Sequence, residues 1–589
     1  MRARANCSAN GAEGRNSTTD WNAIDWRKVE GSVSNLRRRI FRASKEGDHR
    51  KVRSLQKLAL RSYANALQSV RRVTQINAGR NTPGVDTLVV KTPKARSELV
   101  DRIRSYQPWK AKPARRVYIP KGPKGGANKK RPLSIPTIHD RAMQALVKNA
   151  LEPYWEARFE PASYGFRPGR GCHDAIAKVF SIARPNKRKK WVLDADIEAA
   201  FDSISHEKVL QTIGPFPARE LIRQWLKAGY VETGTLHATE TGAPQGGVIS
   251  PLLMNIALHG MEDALGVRYD GRGQIKGSRA LVRYADDWVL FCESEEDAQA
   301  ARRQAQEWLQ ERGLRLSEGK TRIAHLTEGF DFLGFNIRHY HAPKTAKSGY
   351  KLLIKPSKAS VRKFKERMRH EWKDLNGHNA MEVLKRLNPI LRGWANYFRI
   401  GVSKRTFEAL DHWMFDRCAR HIRSNHSRKG WRWCRSKYWG QLNPERADRW
   451  VFGDKGTGAY LLKLSWTPIR RHVLVKGSAS PDDPDLRSYW TERERRKLDE
   501  GLLPPRLMGL VRAQRGRCGH CGASLFNGEA LHRHHMLPKS EGGTDERSNL
   551  RLLHLYCHQQ IHKATPGRKP SDAKATRLSR VRGNPHARF

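Results

Sequence analysis

Cysteine, acidic residues and long apolar runs are what this chain has least of. Eight cysteines in 589 residues exclude a disulfide scaffold, and three of them (Cys518, Cys521, Cys557) fall in one short C-terminal stretch. That usage predicts an intracellular protein with a metal site. No apolar run approaches the roughly 18 residues that cross a bilayer, so a soluble protein with no membrane partner is expected. The first 19 residues, MRARANCSANGAEGRNSTT, lack the apolar core of a secretory signal; their Arg and Ser content leaves an organellar transit segment as the alternative. Only 58 Asp and Glu stand against 112 Lys and Arg, a formal net charge of +54. Such an excess repels itself in a compact state, which makes a polyanion, nucleic acid first, the expected partner; the plainer alternative is a solvated basic surface. A chain of this length is expected to hold several domains.

From Val33 to about Asn77 the sequence is polar and helical in period, with Leu36, Ile40, Val52, Leu55, Leu58 and Leu60 spaced for one buried stripe under a basic outer face. After the turn NTPGVD comes RRVYIPKGPKGGANKKRPLSIP (115–136), two strand-like runs around a Gly/Lys tip. This predicts a basic hairpin suited to phosphates. QALVKNALEPYWEARF is helical in pattern, WVLDADIEAAFDSISHEKVLQTI reads as a buried strand running into a helix, and SEEDAQAARRQAQEWLQERG is an amphipathic helix. The alternation predicts an α+β catalytic body to about residue 345. Beyond it, 355–480 is helical and basic, and nine of the 17 tryptophans lie between there and Trp490. They either fill a small core, leaving RNA to the basic face, or stack bases directly. GSASPDDPD (477–485) reads as a linker, TERERRKLDEGLLPPR leads into a Cys/His module, and the tail from Gly567 is basic and Pro-containing, with the composition of a poorly ordered segment.

ALVRYADDWVLF (280–291) sets Asp286 and Asp287 side by side between two short apolar strands. They repel each other, and a chain needing only a turn would more usually use Asn-Gly or Asp-Gly. In WVLDADIEAAFD a buried strand ends in Asp194 and Asp196, which alternation sends to one face, with Asp202 six residues beyond. A strand-end carboxylate meeting a carboxylate pair supplies hard oxygen ligands for two Mg²⁺ ions, which would neutralise the pair and clamp the oxygens of a phosphoryl transfer. Acidic turns are also common without any ion, so the weight falls on order. A basic hairpin is followed by SYGFRPGRG (163–171), DADIEAAFD, TGAPQGGVISPLLMNIAL (241–258), RYADDW, LRLSEGKT (314–321) and FDFLGF (330–335). This series resembles the successive blocks of a reverse transcriptase, specifically the protein encoded by a bacterial or organellar group II intron. The resemblance runs from about Asp20 to the C-terminus, with the first residues as a local extension, and LNPILRGWANYFR (387–399) looks like the family's thumb or maturase domain.

The resemblance implies that Asp196 and Asp286 are the principal Mg²⁺ ligands, with the backbone carbonyl of Ile197 and a more peripheral carboxylate from Asp287. Phe201 matches the bulky residue that excludes a ribose 2′-OH, which implies deoxynucleotide substrates. Gln245 and the backbone after it would lie along the incoming dNTP, with Lys121 and Arg131 as triphosphate contacts, Arg serving a phosphate bidentately and Lys as a point charge. Two departures from the family pattern, Glu198 and the shifted LSEGK, touch none of these ligands.

RCGHCGASLFNGEALHRHHMLPKSEGGTDERSNLRLLHLYCHQQIHK (517–563) interleaves two metal systems. Cys518-x-x-Cys521 and His554-x-x-Cys557 form two short chelating loops suited to a tetrahedral Zn²⁺ site, which in a domain of about 50 residues supplies folding energy outright. His534, His535, Asn549, His558 and His562 form the second; His558 and His562, at i and i+4, share a helix face. The adjacent Cys557 and His558 diverge by about 100° and so can serve different metals. The module resembles an HNH, or ββα-metal, nuclease. That implies His535 as the general base, His534, His558 and His562 as ligands of one Mg²⁺ or Mn²⁺ ion, and Asn549 orienting His535 or its loop. A zinc-stapled DNA-binding knuckle without cleavage is the alternative, and it leaves the second histidine set unused.

The expected architecture is multidomain α+β: a right-hand-like polymerase whose fingers and palm span 20–345, after an extension at 1–19; an α-helical thumb/maturase domain at 346–476; a linker and DNA-binding region at 477–514; an HNH endonuclease at 515–566; and a basic tail at 567–589. The implied activity is that of a retroelement protein that binds its intron RNA, promotes splicing, nicks target DNA and copies the RNA from the nick. The rivals are a splicing-only maturase and a domesticated reverse transcriptase with a host role. The expected setting is the bacterial cytoplasm and nucleoid, with an organelle as the alternative.

Overall fold

The structure, a computed structural model, describes residues 19–105, 109–120, 130–270, 275–342, 348–499, 503, 505–527 and 529–563. Lys121, the tip of the predicted basic hairpin and the tail from 567 lie outside these residues.

Three helices, Trp26–Lys45, His49–Arg61 and Tyr63–Arg71, open the described chain. Asp25 caps the first by accepting from the backbone N–H of Arg27 and Lys28, Asp48 caps the second through Lys51 N–H, and Ser62 caps the third through Asn65 N–H. These caps break the single buried stripe expected from the leucine spacing: Ile40, Val52 and Leu55 are buried, but Leu58 is 48% exposed. The long helix Ile138–Glu156 packs against all three.

The basic hairpin forms as expected, Ala114–Pro120 pairing antiparallel with Lys130–Ile135, and its sheet is extended by Tyr230–Glu232 and Thr235–His237. The central sheet orders Arg322–His325, Trp191–Asp196, Asp287–Cys292 and Ala280–Tyr284, all antiparallel. Both faces are covered, so its two middle strands are apolar until their ends at the aspartates. On one face Val192, Val282 and Val289 meet Ala175 and Val179 of the helix Cys172–Ile182. On the other, Leu193, Leu281 and Leu290 meet Ala298, Ala301 and Ala305, whose small side chains let the helix Glu295–Gln310 lie close.

FDFLGF turns through Leu333 and Gly334, both at positive φ (48° and 82°), into the strand Phe335–His341. Three helices follow, Lys358–Asp374, Ala380–Phe398 and Lys404–Asn425, and they share one apolar core with the central sheet. Of the tryptophans in this half, Trp372 and Trp439 are buried, and Trp394, Trp413, Trp431 and Trp433 pack against that core. Core filling therefore accounts for most of them. Trp450, 46% exposed and 4.8 Å from the Arg435 guanidinium, and Trp466, half-buried against Tyr460, stand outside that core.

The stretch 477–485 corrects the sequence expectation of a linker. Ser480, Asp482 and Asp483 are buried. Asp482 takes two hydrogen bonds from Arg37 (2.9 and 2.6 Å), Asp483 meets Lys45 at 3.3 Å, and Arg170 donates to the carbonyls of Gly477 and Ala479. Its Pro and Asp content looks like solvated chain only because the cations that neutralise it lie more than 300 residues away in sequence. The Cys/His module that follows is likewise no loose appendage. Val511, Leu552 and Cys557 share one apolar core with Trp21, Trp26, Leu67 and Val70, and Gln560 donates to the carbonyls of Asn22 and Ile24.

Candidate active sites

Asp196 ends its strand directly across from Asp287, and Asp287 in turn pairs with Tyr284 across the YADD hairpin. The hairpin reverses through Ala285 and Asp286, with Ala285 left-handed at φ 59°. A non-glycine residue there is strained, and the surroundings hold it in place. SYGF runs alongside: Tyr164 N–H donates to Arg283 O at 2.9 Å, and Arg283 N–H to Ala162 O at 3.0 Å. A Cβ on Gly165 would lie 2.3 Å from Ala285 N, so only glycine allows this approach. Beneath the turn, the amide of Asn255 donates to Gly165 O at 2.9 Å, and the buried Arg283 guanidinium reaches Asn255 and Ala285 O. The sequence motifs are thus one scaffold whose product is the placement of Asp286 and Asp287 beside Asp196.

Burial in the cleft, with Asp196 adding like charge, raises the Asp286 carboxyl above the usual range, while Arg131 and Lys320 oppose the rise. Asp287 is open to solvent at its tip, yet the protein around the cleft and the carboxylates of Asp286 and Asp196 push it up to about 7. Two carboxyls raised by burial and by each other's charge, set beside a third carboxylate, are a hard-oxygen set short of positive charge, and this fits divalent cations. Lys320 of LSEGKT, ion-paired with Asp196, supplies part of that charge in the protein alone. Sequence reasoning missed this lysine. Ser317 N–H donates to Asp196 O at 2.9 Å, so LSEGK is seated on the strand end. Asp194, on the same face as Asp196, is drawn off to Arg322 at 3.4 Å.

Ile197 is buried and bridges to Leu316. Phe201 is half-buried, edge-on to Phe166 at 6.4 Å. Its carbonyl accepts from Ala243 N–H at 2.6 Å, and the carbonyl of Gln245 accepts from Ser134 N–H at 2.7 Å. TGAPQGG therefore bridges the Phe201 segment and the basic hairpin, whose Arg131 acts on the Asp286 carboxyl.

In the C-terminal module the strands Leu531–His535 and Leu550–His554 pair antiparallel and lead into the helix Leu555–Lys563. The ligand atoms of Cys518, Cys521, His554 and Cys557 lie within 4.8 Å of one another, and all four residues are buried. Three thiols and an imidazole so placed fit Zn²⁺. Arg71, from the third N-terminal helix, approaches the Cys557 sulfur at 3.7 Å and pairs with Glu30 and Glu529 at 3.3 and 3.6 Å. His534, His558 and His562 form the second cluster, again within 4.8 Å. Burial and the neighbouring imidazoles lower His558 to about 4 and His534 in the same direction, which keeps both neutral and able to bind a cation.

His535 points away from that cluster to Asp545, Nε2 to Oδ1 at 2.7 Å, and Asp545 is held by Lys539 at 2.5 Å. Sequence reasoning missed Asp545. Of the two tasks left open for Asn549, the structure selects the loop. Its side chain accepts from Leu537 N–H and donates to the carbonyls of Leu537 and Thr544, with no bond to His535. Gly543 packs under the same loop, where a Cβ would meet Leu537 O at 1.8 Å.

Comparison with known proteins matches four regions of the chain. Residues 21–103 match the N-terminal domain of reverse transcriptase, 119–337 the reverse transcriptase (RNA-dependent DNA polymerase), 361–439 the group II intron maturase-specific domain and 518–564 the HNH endonuclease. Protein YkfC of Escherichia coli (strain K12) is 36% identical over 312 residues, 46% of this chain and 80% of that protein. The group II intron-encoded protein LtrA of Lactococcus lactis subsp. cremoris is 28% identical over 436 residues, 59% of this chain and 71% of that protein. Among solved structures, telomerase from Candida albicans in complex with a fragment of telomeric RNA aligns at TM-score 0.31 and 14% identity, over 56% of this chain and 61% of that one, too loosely to argue from. No helix among the described residues is long and apolar enough to cross a membrane. Four matched regions in this order, on a scaffold that brings the acidic motifs into one cleft and the histidines into one cluster, place the chain in the family of group II intron-encoded proteins, as a reverse transcriptase joined to a maturase domain and an HNH endonuclease.

Proposed function

We propose that the two sites serve one sequence of events: the protein holds its intron RNA and assists its splicing, the RNA enters one strand of a DNA target, the nuclease nicks the other, and the polymerase extends the new 3′-OH along the intron RNA. The observation that carries this is the intact set Asp196, Asp286 and Asp287 in the same chain as an intact His534, His558 and His562 cluster; a splicing-only protein needs neither. The cytoplasm and nucleoid of a bacterium are the setting that fits. Fingers and palm at 20–345, thumb/maturase at 346–476 and nuclease at 515–566 are the working units.

Asp196 and Asp286 would hold two Mg²⁺ ions, with the Ile197 carbonyl and Asp287 at the periphery; such ions supply charge stabilisation to attacking and leaving oxygens. Phe201 screens out a 2′-OH, Gln245 lines the incoming dNTP, and Arg131, with Lys121, meets its phosphates. In the nuclease, Asp545 accepts from His535 Nε2–H, which leaves Nδ1 free to take a proton from water. Three imidazoles are a softer set than Mg²⁺ ordinarily takes and favour Mn²⁺ of the two, while Cys518, Cys521, His554 and Cys557 hold Zn²⁺.

His535→Ala is expected to lower second-strand nicking by about 10² to 10⁴-fold, as loss of a general base does, with DNA synthesis on a primed RNA unchanged; equal loss of both would break the assignment. Gly165→Ala pushes the catalytic turn away from Asp196, and a shift near 1 Å costs on the order of 10²-fold. It should slow DNA synthesis by that much while nicking persists, measured on the same preparation.

A pH effect follows from the raised carboxyl of Asp287. In the metal-free protein it keeps its proton when folded at pH values where the unfolded chain has lost it, so its contribution to stability is present below about pH 4 and is lost as pH rises toward about 7. Asp287→Asn should flatten that decline by about 1 kcal/mol, one pKa unit's worth, since solvent at its tip discounts the full shift. Urea titrations at pH 4 and 8 read the difference.

A further inference from the structure

Where the nuclease helix packs on the N-terminal helices, the seam encloses a cavity of about 340 Å³, lined in part by Arg80, Lys91, Arg96, Trp21, Tyr556 and Gln559. Arg96 is only 7% exposed. Its Nε donates to Thr74 Oγ1 at 3.3 Å, and its guanidinium stands 5.9 Å from the Trp21 ring and 6.0 Å from that of Tyr556. Among the described residues no carboxylate forms an ion pair with Arg96, Arg80 or Lys91, whereas Arg71 in the same wall is paired with both Glu30 and Glu529. A guanidinium taken out of water without a counter-charge is costly, so one held this way calls for an anion. The space suits a ligand of one nucleotide's size. Three cations, two aromatic rings and the amides of Gln75 and Gln559 match a phosphate with a flat, hydrogen-bonding base attached.

We propose that this seam cavity binds a single nucleotide, its phosphate set among Arg96, Arg80 and Lys91 and its base against Tyr556, and that the nucleotide belongs to a DNA strand passing to the nuclease. The nuclease helix favours that source: it presents Tyr556 and Gln559 to the cavity and His558 and His562 to the histidine cluster. Occupancy would also couple the two domains, because the ligand touches both. The choice of DNA rests on the nuclease reading above; the anion site itself does not.

The test uses the full-length, zinc-loaded protein. Single-stranded DNA carrying 5-iodo-deoxyuridine is photo-crosslinked and the modified peptides are mapped by mass spectrometry, while calorimetry measures dAMP binding. The expected result is cross-links at Tyr556 or Trp21 that fall at least tenfold in Arg96→Met, with DNA synthesis on a primed RNA within twofold of wild type. Tight dAMP binding that blocks these cross-links keeps the site and reassigns its source to a free nucleotide. If Arg96→Met does not fold, Lys91→Met, altered at an exposed side chain, must lower cross-linking at least threefold. Cross-links confined to other regions with no dAMP binding, or yields unchanged in the variant that folds, overturn the proposal. Nicking scored in the same samples separates that outcome from failure of the nuclease assignment.

Discussion

Asp286→Ala is expected to lower RNA-templated DNA synthesis by roughly 1,000-fold or more, because a metal clamp on the reacting oxygens contributes several kcal/mol and each 1.36 kcal/mol is tenfold in rate. Asp286 sits in the turn itself, between the strained Ala285 and the strand that starts at Asp287, so its side chain carries no core packing and its loss leaves the sheet intact. Asp286→Asn should fail almost as badly, since it keeps size and removes only charge. Splicing assistance and nicking by both variants should stay within a few-fold of wild type. Primer extension on a primed RNA, branch formation on the intron RNA and nicking of a DNA duplex, run side by side, check this. Retained DNA synthesis would show that the carboxylates are structural; loss of all three activities would mean that the turn supports the whole molecule.

Removing zinc, by chelation or by Cys521→Ser, should produce the largest structural change. A structural Zn²⁺ site contributes on the order of 10 kcal/mol to a small domain's folding, as much as the whole net stability of a typical domain. The nuclease module should lose its strand pair and its histidine cluster, abolishing nicking. The damage should also spread to the N-terminal helices. Trp21, Trp26 and Val70 share their core with Cys518, Cys521 and Cys557, and Arg71 would keep Glu30 but lose Glu529 and the Cys557 sulfur, both of which lie in the module that unfolds. Limited proteolysis should show cleavage within 515–563 and new sites before residue 77, while the central sheet survives. A chelated protein with unchanged fragments would refute the zinc assignment; one cut only in the nuclease would refute the shared core.

How much of this was legible in sequence depends on the range of the interaction. Asp196 and Asp286 were readable because strand alternation and a paired acidic turn are local signals, and so was the cluster of Cys518, Cys521, His554 and Cys557, whose spacing is short. Lys320 and Asp545 were not singled out, although both stand in quoted motifs; a cation or carboxylate on a turn has no local mark until the partner it neutralises is known. Gly165 looked like one glycine among several in SYGFRPGRG, and its necessity comes from Ala285, 120 residues away. The strap at 477–485 was misread for the same reason: Asp482 and Asp483 have solvated-turn chemistry unless Arg37 and Lys45 are in view. The leucine spacing over 33–77 failed differently. Hydrophobic period does not register the caps at Asp48 and Ser62, which reset the helix phase and leave Leu58 outside.

The most direct test of the central claim is to isolate the protein from its native cells at low salt, trim exposed RNA with nuclease, and sequence what stays bound. One long structured RNA that contains this protein's own coding sequence and a branched junction is the predicted result. A diffuse mixture of cellular transcripts would contradict it, leaving a polymerase and a nuclease without the intron that joins them.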